Sequence, residues 1–68
     1  MKNKNEYIVN VKYQNHTYLA RYQGKTASAT SGRERAACRV VSKVTNIPEY
    51  ELRAEYLSDH VYRVMEKG

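Results

Sequence analysis

The chain has 68 residues, so it makes one domain at most, and a domain of this size buries only about 60% of the surface its unfolded chain exposes. Twelve Lys and Arg against seven Asp and Glu give a formal charge of +5, which favours an acidic partner: nucleic acid, an acidic protein surface or a ribonucleoprotein. A single cysteine, Cys38, excludes an internal disulfide, and no secretory signal or roughly 20-residue apolar run is read. The expectation is a soluble protein of a reducing cytoplasm, with no membrane partner.

The first five residues, "MKNKN", read as a polar, frayed start, and residues 6–67 as a single α+β domain. Alternation begins at once in "EYIVNVKY": Tyr7, Val9, Val11 and Tyr13 share one face, and Ile8, Asn10 and Lys12 the other. "QNH" makes a polar turn, and "TYLARY" alternates again with Tyr18, Ala20 and Tyr22 together. Gln23-Gly24 predicts a tight hairpin connection, because glycine tolerates positive φ. "KTASAT" then sets Ala27 and Ala29 against Thr26, Ser28 and Thr30.

At Ser31 the period changes. Ser31 with Glu34 three residues later predicts a capping box at a helix start. From there Ala36, Ala37, Val40, Val41 and Val44 fall on one helical face, and Arg35, Arg39 and Lys43 form a stripe roughly opposite. The helix should stop near Thr45-Asn46, ahead of Pro48. "YELRAEY" restores alternation, with Tyr50, Leu52, Ala54 and Tyr56 against Glu51, Arg53 and Glu55; "LSDH" is a turn, and "VYRVME" a last strand. The order β-β-β-α-β-β predicts a two-layer sandwich: a mostly antiparallel five-stranded sheet with one helix on one face and the other face open.

The small residues Ala27, Ala29, Ala36 and Ala37 suit close approach of helix and sheet. Beside that packing role, Thr30, Ser31 and Gly32 place free N–H groups at a helix N-terminus, where phosphate is attracted. The stripe Arg35, Arg39 and Lys43 reads either as a solvated helix face or as anchors for phosphates and acidic side chains. The open sheet face, carrying Lys12, Arg21, Thr26, Ser28, Arg53 and Arg63, competes with it, diluted by Glu51 and Glu55. The seven tyrosines all fall on the phase expected to be buried, which argues against a base-stacking platform.

Catalysis finds little footing in the residues. Cys38 lies at the edge of the helix's apolar face, while His16 and His60 fall in separate turns, so neither a cysteine–histidine nucleophile nor a zinc site is expected. No glycine-rich phosphate loop or paired-carboxylate motif is recognisable. The chain reads as a non-enzyme with no cofactor, no metal and no small-molecule substrate.

Three resemblances refine this reading. Residues 17–44, "TYLARYQGKTASATSGRERAACRVVSKV", resemble the second half of a double-stranded-RNA-binding domain, where a small-residue run enters a basic, alanine-rich helix. That likeness implies that Arg33 and Arg35 grip phosphates, with Gly32 where the family has a lysine. The β-β-β-α order is similar to the arm-binding domains of phage integrases, whose sheet enters a DNA major groove. As a class, very short, basic, single-domain α+β chains resemble phage-encoded inhibitors of host defence, notably anti-CRISPR proteins, which occlude a nucleic-acid path on a CRISPR effector complex. The leading expectation is therefore a non-enzymatic, phage- or mobile-element-encoded inhibitor working in the host cytoplasm. Its contacts would be Arg33, Arg35, Arg39 and Lys43, with Lys12, Arg21 and Lys25 second. Direct duplex DNA or RNA binding is the alternative, and a dimerising accessory protein, through edge-strand pairing, a third.

Overall fold

The computed structural model describes residues 6–67, so the expectation of a frayed start at residues 1–5 lies outside the described residues. Five strands, β1 (Glu6–Gln14), β2 (Thr17–Tyr22), β3 (Lys25–Ala29), β4 (Leu52–Ser58) and β5 (Val61–Glu66), form one antiparallel sheet in the order β3-β2-β1-β5-β4. One helix, α1 (Arg33–Thr45), covers one face. This is the α+β sandwich that the hydrophobic periods predict, in the predicted order.

The two-residue turns set the register. Asn15-His16 and Gln23-Gly24 all hold positive φ (53°, 63°, 50° and 79°), the mirror-image turn whose twist matches a hairpin. Each therefore fixes its hairpin so that one phase of every strand faces α1. The core lies on that phase: Val9, Val11, Val64 and Ala20 from the sheet meet Ala36, Ala37, Val40 and Val41 from the helix, all 0–1% exposed. Tyr7, Leu52, Tyr62 and Ala29 close its margins. Alanines at 20, 27, 29, 36 and 37 let the backbones approach, and the helix packs most intimately on β3 and β2.

Three local expectations are corrected. Ser31 does not cap the helix: Gly32 is the N-cap residue, without a side-chain cap hydrogen bond, so the capping box with Glu34 does not form. Ser31 instead lies one residue outside, in the bend that turns the chain off β3. The helix does end as expected, at Asn46 in the left-handed conformation (φ 67°), its N–H donating to the Ser42 carbonyl. Next, the run expected to be a strand from Tyr50 opens with a 3-10 turn, Glu49–Glu51, which Pro48 starts and a hydrogen bond from Glu51 N–H to the Pro48 carbonyl (2.9 Å) closes. The strand proper begins at Leu52 and runs to Ser58, with an irregularity in its pairing to β5 between Tyr56 and Ser58.

Finally, three tyrosines are not buried: Tyr13, Tyr50 and Tyr56 are 55%, 75% and 58% exposed. Tyr13 and Tyr56 do point to the helix side, but a 13-residue helix is only about 20 Å long and leaves the strand ends uncovered. Tyr50 sits on the 3-10 turn, where strand alternation no longer applies.

Candidate binding surface

The expected cationic stripe of α1 is largely engaged within the molecule. β3 is an edge strand, and its tight turn makes Tyr22–Lys25 a hydrogen-bonded pair. Pairs alternate from there, which leaves the Thr26 and Ser28 carbonyls pointing outward. Arg39 Nη1 donates to the Ser28 carbonyl at 2.8 Å, and Lys43 Nζ to the Thr26 carbonyl at 3.1 Å. Arg39 also pairs with Glu49, Nε to Oε2 at 3.6 Å. The four-residue spacing that makes a stripe on the helix thus matches the two-residue spacing of outward carbonyls on the strand beside it. Arg35 lines an open groove with Cys38, Glu49, Leu52, Ala54 and Lys67. All three side chains of the stripe are exposed, and Arg39 and Lys43 hold partners within the chain.

Arg33 is also committed. Its guanidinium lies 5.1 Å from the centre of the Tyr18 ring, a cation–π contact, and Tyr18 packs on Tyr13 with ring centroids 4.9 Å apart. Cys38 is buried, and burial, with Glu49 and Glu34 nearby, pushes its thiol pKa up. That makes a poor nucleophile. His16 is in the β1–β2 turn and His60 in the β4–β5 turn; among the described residues, no group of three or more His, Cys, Asp and Glu gathers as metal ligands.

The open face of the sheet divides into two unlike halves. On β5 and β4, Arg63 donates through Nε (3.0 Å) and Nη2 to Glu55 Oε1 and lies 3.8 Å from Glu6 Oε1. The Arg63 hydrogen bond, then its charge, hold the Glu55 carboxyl below its usual pKa. This half neutralises itself.

On β1, β2 and β3 the register sets Lys12 opposite Leu19, Asn10 opposite Arg21, Leu19 opposite Ser28 and Arg21 opposite Thr26. Lys12 and Arg21 are thus diagonal neighbours, and neither has a carboxylate partner among the described residues. With Asn10, Leu19 and His60 they line a shallow hollow, flanked by the Thr26 and Ser28 hydroxyls. His60 Nδ1 donates to the Val11 carbonyl (3.1 Å), which fixes the ring and leaves Nε2 for another partner.

Of the residues expected to contact a partner, the structure brings Lys12 and Arg21 together. Lys25 lies on the opposite phase, paired with Tyr22, and does not join them. Asn10, Leu19 and His60 were missed as members of this surface. Counting outward from the Asn15-His16 turn would have found the first two, whereas His60 arrives through the pairing of β1 with β5, which no local pattern encodes. No helix of the described residues is long and apolar enough to cross a membrane. No family model, curated protein or solved structure matches the chain.

Proposed function

We propose that this chain is a non-enzymatic binding protein that docks the outer face of β1–β2–β3 on an acidic partner. The partner in this reading is a host nucleic-acid-targeting complex, whose nucleic-acid path the protein occludes in the manner of small anti-CRISPR inhibitors. The observation that carries it is the uncompensated pair Lys12 and Arg21, held by rigid strand register beside Asn10, Thr26, Ser28 and His60. Compared with the helix-centred expectation, the interface moves to the sheet, because Arg33, Arg39 and Lys43 already hold intramolecular partners.

A second reading, direct binding to duplex nucleic acid, is favoured by the composition of the same face. Three consecutive antiparallel strands present cations, hydroxyls and amides together, the donor set that reads phosphates and groove edges.

A pull-down from bacterial lysate with the wild type, Lys12→Glu/Arg21→Glu and Arg35→Glu separates the surfaces. The reading expects recovery of a nucleic-acid-handling complex to be lost with the double variant and retained with Arg35→Glu; the opposite pattern discards the sheet face. Titration with duplex DNA and RNA at rising salt separates the two partners. Direct binding requires log affinity to fall with log salt at about −0.9 per phosphate neutralised on DNA, and no binding near 50 mM salt rules it out.

A further inference from the structure

The two edges of the sheet are treated differently, and the bare one is self-complementary. At the β3 edge, Arg39 and Lys43 fold over the outward carbonyls. At the β4 edge no described side chain donates to the strand. Its outward groups can be identified: Lys67 N–H donates to the Glu51 carbonyl (2.8 Å), so Glu51 faces β5, and alternation then turns outward the N–H and C=O of Ala54 and Tyr56 and the C=O of Leu52, whose N–H is held by the Glu49 carbonyl. A long, unprotected edge strand is a template for another strand.

The geometry points to a second copy of this chain as the occupant, joined by antiparallel β4–β4 pairing about a two-fold axis at Ala54. In that register the outward groups of Ala54 meet those of Ala54 of the second copy and each Tyr56 N–H meets the other copy's Leu52 carbonyl, and about four backbone hydrogen bonds close a ten-stranded sheet.

The side chains fit on both faces. On the open face Arg53 lies opposite Glu55 of the second copy, twice by symmetry. Arg53 has no ion pair among the described residues, and Glu55 uses only Oε1 for Arg63, leaving Oε2 free to accept. On the helix side, exposed Tyr56 lies across from Leu52 and adds apolar contact. The irregularity after Tyr56 ends the straight stretch of strand where the pairing ends. Any other alignment within this straight stretch forfeits part of the match. Centring the axis on Glu55 opposes that carboxylate to its own copy, and centring it on Arg53 opposes Arg53 to itself.

Sedimentation equilibrium over a concentration series tests this, with circular dichroism reporting the fold of each variant. The wild type forms a monomer–dimer equilibrium. Ala54→Pro keeps the fold, since its N–H makes no bond within the chain, and raises the dimer dissociation constant at least about tenfold. Arg53→Glu and Glu55→Arg each weaken self-association, by opposing like charges, and an equimolar mixture of the two restores a heterodimer with one ion pair in the native sense and one inverted. A wild type that stays monomeric up to about 1 mM overturns the proposal. So does a dimer that Ala54→Pro leaves intact, or a failure of the two charge variants to rescue each other.

Discussion

The two sides of this sheet solve opposite problems. On the β3 side the edge is closed by Arg39 and Lys43, while the outer face keeps Lys12 and Arg21 uncompensated. On the β4 side the outer face neutralises itself through Arg63, Glu55 and Glu6, while the edge stays open. The contrast teaches that net charge says little about where a small basic protein binds. Of the cations around this fold, several are spent on carbonyls, a tyrosine ring and carboxylates, while Lys12 and Arg21 stand together without a carboxylate on one half of one face.

The largest expected effect comes where both sides share a foundation. Val40 is fully buried between helix and sheet, and Val40→Ala removes two methyl groups from a thin core. A loss of about 2 kcal/mol is expected in urea unfolding, a large share of the few kcal/mol that a domain this small holds. If the loss were within a few tenths, the helix would not be packed as described.

A smaller effect sharpens the difference between the edges. Arg39→Ala with Lys43→Ala strips the cover from β3; both side chains are exposed, so the stability cost is about 1 kcal/mol or less. The informative readout is association: light scattering should show new self-assembly through β3, since an uncovered edge recruits strands. A double variant as soluble and monodisperse as the wild type would mean that the two edges were never distinct.

The smallest effect concerns Glu55. Its folded pKa lies below the ordinary value of 4.5, chiefly through the Arg63 hydrogen bond. Protons therefore bind the unfolded carboxylate first as pH falls. The contribution is present above about pH 4.5 and lost as pH drops through the lower folded value. Because the pair is solvent-exposed the loss is slight, and Glu55→Gln should flatten that part of the acid limb in pH-dependent unfolding. An acid limb identical in the variant would remove the pair from the account.

Much of this fold is legible in the sequence because its signals are local. Period-two alternation gives the strands, Gln23-Gly24 the hairpin, and the switch to helical spacing after Ser31 the single helix. What fails is what depends on neighbours distant in the chain. Ser31 and Glu34 carry the spacing of a capping box, yet the departure of the chain from β3 places Gly32 at the N-cap. Arg39 and Lys43 look free on a helical wheel, because a wheel omits the carbonyls of Ser28 and Thr26 beside it. The tyrosines follow the buried phase but overrun the reach of the helix. The cationic hollow was half visible: Lys12 and Arg21 stand out as charges on one phase, while their adjacency needs the hairpin register, and His60 needs β5 beside β1.

The most direct measurement is an amide chemical-shift titration of the isotope-labelled protein with a short anionic oligomer, duplex DNA or a heparin fragment, at low salt. The account predicts that the shifts cluster on Asn10, Lys12, Leu19, Arg21, Thr26, Ser28 and His60 and leave the outward side of α1 and the β4–β5 half of the face still. Shifts centred on Arg33, Arg35, Arg39 and Lys43 would contradict it.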